Sequence, residues 1–343
     1  MAIKGNVTTD LSTVALPEFT DLVRRNFVIT QQFLDRNAKQ MFVYDYIGEG
    51  QGGSKLYDEY DTDTFADDKP EGTAAKKAKV GVGYQKIMYA KTIAKQIDIT
   101  YEERVQNRYQ NVKAKITSLN DFCANRIDLD LTHRLTFATS TSYTDMNGAT
   151  VDTTTGDGLS LANTAHTLAF SPITYSNRVA ADPAFSQTAF QAAMLLGATQ
   201  IYNNLGQQRQ MNFNVVFSYN DPATIQAIDQ LIHSMADVDA VQAGILNVYR
   251  EKFTRVMLPY LASTAVGAYD STKRRWWGYA AIGQDLNGWQ GIYGEWVPPF
   301  LKVPAPGNNG ENIDTWSWTY STGAMYGIVT VSPRGIIFSC PTN

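Results

Sequence analysis

The charge pattern between residues 41 and 99 constrains the fold more than any other part of the sequence. An apolar run over 41–47 is followed by four glycines within 48–53. Seven carboxylates then lie between Asp58 and Glu71, and the segment from Gly72 to Ile97 holds six lysines and no acidic residue. Glycines interrupt the strand-like runs, and the polar middle cannot bury much apolar surface. The pattern therefore predicts a long two-stranded arm.

An isolated two-stranded arm is only marginally stable in water. We therefore expect it to lie on a neighbouring chain, where its acidic and basic limbs would meet complementary charges. The candidate contacts between chains are the charged residues of the arm together with two arginines of the preceding helix: Asp58, Glu59, Asp61, Asp63, Asp67, Asp68, Lys76, Lys77, Lys79, Arg24 and Arg25. This interpretation favours an assembly protein over a self-contained enzyme.

Length and composition narrow the class further. The chain has 343 residues and a net charge of −4, from 29 basic and 33 acidic residues. A dedicated nucleic-acid binder usually has a basic surplus, so site-specific binding of nucleic acid is not expected. The sequence shows no signal peptide and no apolar run long enough to span a membrane, which predicts a soluble protein made in a cytoplasm. Cys123 and Cys340 are expected to be buried, reduced thiols.

Apolar periodicity and capping residues predict the regular elements. Helices are predicted at 18–40, 100–109, 118–139 and 186–205, and from Asp221 onward. Thr100 and Glu103 form a capping-box pattern, Ser186 is a candidate N-cap, and Pro222 suits a first helical position. Strands are predicted at 212–218, 248–261, 275–282, 316–331 and 336–338. Residues 140–184 are rich in Thr, Ser, Gly, Asn and Asp, which predicts surface loops.

In this order the elements resemble the major capsid protein of tailed bacteriophages, the family with the HK97-type α+β fold. The two-stranded arm corresponds to the E-loop of that family, and the helix at 118–139 corresponds to the spine helix of its peripheral domain. The unit Ser186–Ser234 resembles the opening of the axial domain. The long strand Trp316–Val331 and the turn at Pro333 match the strand and proline turn near the end of the family's chain.

The resemblance implies a division of the chain and a set of partners. The expected parts are an N-terminal arm and first helix (1–43), the E-loop (44–97), a peripheral domain (98–185), an axial domain (186–310), a long strand returning to the peripheral domain (311–331) and a C-terminal strand (332–343). The expected assembly is an icosahedral shell of hexamers and pentamers around double-stranded DNA. The expected partners are a portal protein, a separate scaffolding protein, since the chain begins directly with the arm, and in some shells a decoration protein. Such a protein is located in the virion and assembles in the bacterial cytoplasm.

Two other function classes stay open. An encapsulin-like nanocompartment shares the fold but encloses an enzyme. A carbohydrate-binding or adhesin-type β-protein is suggested by the six tryptophans, which all lie after residue 275. The basic residues 273–275 beside Trp276 are a candidate contact for nucleic acid, although a turn with solvated charges explains them more simply.

No enzymatic motif, cofactor or metal is expected. The acidic run has Phe65 and Ala66 where an EF-hand loop needs an oxygen ligand and a glycine. The three histidines, His133, His166 and His233, are far apart in the sequence and match no metal or catalytic spacing.

Overall fold

The computed structural model describes residues 16–33, 37–78, 80–234, 247–283, 288–304, 312 and 314–342. The predicted N-terminal arm up to residue 15 and the candidate contact Lys79 lie outside these residues. The described helices are α1 Leu16–Phe33, α2 Tyr101–Val105, α3 Tyr109–Thr136, α4 Gln187–Thr199 and α5 Pro222–His233. The described strands are β1 Val43–Tyr46, β2 Ser54–Thr62, β3 Val80–Tyr89, β4 Lys91–Thr100, β5 Ser142–Thr144, β6 Thr150–Asp152, β7 Val215–Ser218, β8 Thr254–Met257, β9 Trp277–Ala280, β10 Gly291–Lys302, β11 Ser317–Thr330 and β12 Ile336–Ser339.

The long helix α3 begins earlier than the sequence analysis predicted. Val112 and Ile116 are buried, so the apolar stripe of the helix extends through its first two turns. We interpreted Ser118 as the start of the helix because serine is a good N-cap. Its hydroxyl instead donates to the carbonyl of Ala114 at 2.9 Å, inside the helix. A mid-helix serine can satisfy itself in this way, so its presence does not mark a boundary.

The first sheet has the strand order β1-β10-β11-β4 and packs against α3. β11 lies antiparallel to both β10 and β4, whereas β1 lies parallel to β10. β1 and β4 are the two ends of the predicted arm, so the free two-stranded part is shorter than predicted. It comprises β2, β3 and the segment between them, and we call it the β2–β3 hairpin.

β10 was not predicted from the sequence. It contains Pro298 and Pro299, and proline within an apolar run argues against a strand because it cannot donate to the ladder. The structure accommodates them at register shifts between Glu295 and Val297 and between Val297 and Phe300. β10 belongs to the first sheet, which packs against α3. The division of the chain into domains, including the range 186–310, stays a prediction.

The second sheet has the order β12-β9-β7-β8, with α4 and α5 packed against it. Ser186 caps α4, with its hydroxyl accepting from the amide of Ala189, and Asp221 caps α5 just before Pro222, as predicted. α4 ends at Thr199 instead of continuing to Leu205. The carboxamide oxygen of Asn203 accepts the amides of Leu205 and Gln207, which holds this stretch in a turn.

The polar stretch 140–184 is mostly irregular and mostly exposed or partly exposed, as predicted, but it also contains buried residues. β5 and β6 form a short hairpin, and Leu161 and Tyr175 beyond it are almost completely buried. Asn177 shows how polar backbone groups can be buried in this stretch. Its side-chain amide donates to the carbonyl of Leu161 at 2.7 Å, so backbone groups that would otherwise need water are satisfied.

Candidate assembly surface

The β2–β3 hairpin is a two-stranded ladder outside both four-stranded sheets. Leu56 lies opposite Ile87 and Tyr60 opposite Val82, with a register shift between Asp58 and Tyr60. A shift of this kind bends a strand and increases its twist. Because side chains alternate along a strand, the hairpin presents two faces of different character.

One face of the hairpin is packed against its own subunit. Met88 is 1% exposed and joins a small apolar cluster with Trp296 and Val331. Glu59 is 3% exposed and Asp61 5%. The sequence analysis placed both carboxylates among the contacts to a neighbouring chain. That expectation does not hold in the subunit, because burial leaves these two groups no surface for a second chain.

Arg334 is the main partner of these carboxylates. It lies in the turn after β11 and is itself buried. Its Nη1 donates to Asp61 Oδ2 and to the carbonyl of Tyr202, both at 2.9 Å, and its Nη2 donates to Glu59 Oε1. Its Nε donates to Ser332 Oγ at 3.1 Å. Burial acts to lower the pKa of Arg334, but the two carboxylates outweigh this effect and raise it above its usual value.

The turn after α4 supplies the remaining donors. Arg209 Nη1 lies 3.1 Å from Asp61 Oδ1, and the amide of Asn204 donates to Asp61 Oδ2 at 2.7 Å. The side-chain amide of Asn204 donates to Glu59 Oε2 at 2.9 Å. We call Glu59, Asp61, Asn204, Arg209 and Arg334 the ionic cluster. It contains two carboxylates and two guanidinium groups, so its formal charge is balanced.

The other face of the hairpin exposes a row of apolar side chains, which we call the outward stripe. Its members are Leu56, Tyr60, Val82, Ile87 and Tyr89, and each is 40–70% exposed. The polar pair Asp58 and Gln85 divides the stripe into Leu56, Ile87 and Tyr89 on one side and Tyr60 and Val82 on the other. Exposed apolar side chains grouped on one face often mark a protein–protein contact. The stripe could not be predicted from the sequence, because the apolar residues within 54–62 do not alternate regularly with polar ones.

The tip of the hairpin, residues 63–78, is polar and largely exposed. Lys76 lies 3.2 Å from Asp67, so the two charge blocks meet within one chain at this point. Asp68 and Lys77 are exposed. Asp63 and Asp58 are partly exposed, and Arg24 and Arg25 lie on the exposed side of α1. A role for these residues in contacts between chains stays a prediction.

The base of the hairpin is held by a second charged group. Lys91, the first residue of β4, lies 3.2 Å from Asp130 on α3 and 3.0 Å from Asp145. Arg126 also contacts Asp145, at 3.1 Å. Burial acts to raise the pKa of Asp145, but hydrogen bonds from Lys91 and from nearby backbone amides lower it to about 2. The hairpin is therefore attached to α3 at its base. Through the ionic cluster it is also attached to the turn after α4 and to the turn after β11.

Two of the three basic residues 273–275 pair with carboxylates of the same chain, and Arg275 is exposed. Lys273 pairs with Asp270 at 3.3 Å and lies over the ring of Phe137, and Arg274 lies 3.4 Å from Asp221. Five of the six tryptophans are buried: Trp276, Trp277, Trp289, Trp296 and Trp318. Only Trp316 is exposed among them, so the adhesin alternative loses the observation that suggested it. Cys123 and Cys340 are buried and unpaired, as predicted.

The histidines occupy three separate environments. His166 is buried, with Nδ1 2.7 Å from Asp157 Oδ2 and Nε2 3.2 Å from the carbonyl of Leu161. His233 is largely exposed. His133 lies on α3, and its Nε2 is 3.1 Å from Ser263 Oγ. In the described part of the chain, no group of three or more His, Cys, Asp or Glu side chains is arranged to hold a metal ion.

His133 is expected to make stability depend on pH. Burial lowers its folded pKa to about 4, whereas an unfolded histidine titrates near 6.5. Below pH 6.5 the unfolded chain therefore gains a proton that the folded chain does not, so stability falls as the pH falls. At about 1.4 kcal/mol per pKa unit, the loss between pH 7 and pH 5 should be about 2 kcal/mol. Urea denaturation at both pH values measures it.

The matched control is His133→Gln, which keeps a side-chain donor for Ser263 but does not titrate. This variant should lose about 2 kcal/mol less than the parent chain over the same pH interval. Equal losses in both proteins would contradict a buried neutral histidine at this position.

Comparison with known proteins gives a likeness at the level of the fold. No protein-family model matches the chain, and no curated protein matches it. The capsid structure of the cyanophage P-SCSP1u aligns with a TM-score of 0.51, over 88% of this chain and 86% of that chain, at 11% identity. The capsid of Ralstonia phage GP4 aligns with a TM-score of 0.49, over 88% of each chain, also at 11% identity. None of the described helices is long and apolar enough to cross a membrane. The cyanophage alignment agrees with the sequence resemblance, and the chain has the α+β, HK97-type fold of phage capsid structures.

Proposed function

We propose that this chain is a major capsid protein whose copies close into an icosahedral shell. The observation that carries the proposal is the alignment of 88% of the chain with a cyanophage capsid structure. The hairpin supports it independently, because a self-contained monomer gains nothing from a row of exposed apolar residues on a projecting element.

The contact between copies would be made through the outward stripe. A second copy of the chain is the occupant that fits, since shell proteins meet through repeated heterologous contacts between identical subunits. The polar tip would extend that contact with its exposed charges, among them Asp67, Asp68, Lys76 and Lys77. Each contact can be modest, because many simultaneous contacts act together once a shell begins to close.

The finer features of the assembly follow from the same proposal. Copies would form hexamers and pentamers, with the second sheet and its helices near the centre of each. The shell would enclose double-stranded DNA without sequence-specific binding, which suits a chain with a net charge of −4. Portal, scaffolding and decoration proteins would join it in the virion, after assembly in the bacterial cytoplasm. The chain would act as a structural protein and not as an enzyme.

An encapsulin-like nanocompartment is the second candidate, since it would use the same fold around a different content. The two candidates differ in what the shell contains and not in how the subunit folds.

Negative-stain electron microscopy of the purified chain, alone and with candidate partner proteins, tests the proposal. Closed shells or rings of capsomers are expected. Nuclease-protected DNA in particles from infected cells would support the capsid, and a protein cargo without DNA would support the nanocompartment. A uniform monomer under every condition would overturn both.

A further inference from the structure

The ionic cluster joins three segments that are distant in the sequence. Glu59 and Asp61 belong to β2, Arg209 to the turn after α4, and Arg334 to the turn between β11 and β12. Glu59, Asp61, Asn204 and Arg334 are buried, and Arg209 is partly exposed, so water weakens most of these contacts less than it would at the surface. The cluster is thus the main charged attachment of the outer half of the hairpin to the rest of the subunit, beside the hydrogen bonds of Thr64 to Gln207 and of Tyr84 to Thr167.

On the facing strand, β3, two glycines allow this close approach. A Cβ atom at Gly83 would lie 2.2 Å from Asn204 Nδ2 and 2.8 Å from Glu59 Oε2. A Cβ atom at Gly81 would lie 3.0 Å from the ring of Phe170. Glycines in a strand interior often mark a site where another part of the chain comes close. Charge pairing on β2 therefore holds the hairpin against this surface, and the absence of side chains at Gly81 and Gly83 on β3 allows the close approach.

The cluster attaches an element that lies outside both four-stranded sheets. A buried, paired charge can define geometry even where its net contribution to stability is small. Here the ionic cluster fixes the direction in which the outward stripe faces.

We propose that the ionic cluster is a latch, which holds the β2–β3 hairpin against its own subunit and presents the outward stripe in a fixed direction before another copy binds. The proposed function supplies the purpose of the fixed direction, but the latch itself is a property of the single subunit. Opening it should free the outer half of the hairpin, from Glu59 to Gly83, while Met88 stays in its apolar cluster and the two four-stranded sheets stay folded.

Amide hydrogen exchange on the full chain, at a concentration where light scattering detects no assembly, tests the latch. The variant is Glu59→Gln with Arg334→Met, which removes one charge of each sign and leaves Asp61 paired with Arg209. Amides of 59–62 and 80–83 should exchange about tenfold faster or more, and those of α3 should be unchanged. A control variant, Arg178→Met with Asp182→Asn, removes an ion pair outside the hairpin and should leave the hairpin's exchange unchanged.

Unchanged exchange in the hairpin of the Glu59→Gln/Arg334→Met variant would overturn the latch. Faster exchange throughout the chain would also overturn it, because the cluster would then be a general stabilising contact. Neither result depends on assembly, so the latch can fail while the proposed function stands. Conversely, a chain that never assembles but shows the confined change would keep the latch and remove its proposed purpose.

Discussion

Replacing Leu56 and Ile87 together by threonine is expected to abolish closed shells and leave the subunit folded. The two side chains are cross-strand partners and about half exposed, so the subunit loses little buried apolar surface when they change. Threonine is a good strand residue, which preserves the ladder. In a contact between copies, by contrast, each side chain would become buried, and the loss would be about 1 kcal/mol per side chain at every repeated contact.

Repetition makes this small loss decisive, because shell closure requires many such contacts at once. Sedimentation and electron microscopy measure the loss of shells, and a thermal melt checks that the subunit is stable to within about 0.5 kcal/mol of the parent. Val266→Thr, an exposed valine outside the hairpin, is the control and should assemble normally. Normal shells from the Leu56→Thr/Ile87→Thr chain would show that the outward stripe does not make the contact between copies.

Arg334→Met is expected to be the most destabilising single substitution in the ionic cluster. It leaves Glu59 buried with no cationic partner, and breaking a buried pair on one side costs about 3–5 kcal/mol. Removing Glu59 as well, as Glu59→Gln, should restore part of that loss, since no uncompensated charge then stays buried. A double-mutant cycle by chemical denaturation measures the coupling, which should be about 2 kcal/mol or more.

Additive effects of the two substitutions on stability would contradict this prediction. If the double variant is destabilised by the sum of the two single changes, Glu59 and Arg334 do not interact in the folded chain. Deletion of residues 48–83 as a block would not test the hairpin's contacts alone. That deletion takes away Glu59 and Asp61 and leaves Arg334 buried without either carboxylate.

Local chemistry explains which parts of the fold could be predicted from the sequence. The capping box of Thr100 and Glu103 is present in the structure, as predicted. Ser186 likewise caps α4, and the rings of Phe185 and Phe190 on either side of this cap lie 5.9 Å apart. Such features depend on residues a few positions apart, and they need no knowledge of the rest of the chain. The element order, which depends on them, was enough to suggest the fold class.

The predictions from the sequence failed where contacts between residues far apart in the chain determine the structure. Nothing within residues 54–62 reveals that Arg334 will lie against Glu59, so two buried carboxylates were taken for exposed ones. The prolines of β10 obscured a strand that only its pairing with β11 makes recognisable. Within the loops of 140–184, the burial of Leu161 and Tyr175 could not be predicted, because it depends on polar side chains such as Asn177 that satisfy buried backbone groups.

A cryo-electron microscopy map of the assembled particle, at a resolution that shows side chains, tests the central claim most directly. The account predicts a closed shell in which Leu56 and Ile87 are buried against a neighbouring copy, while Glu59 stays paired with Arg334 of its own chain. A shell in which the outward stripe faces solvent at every subunit would contradict the account.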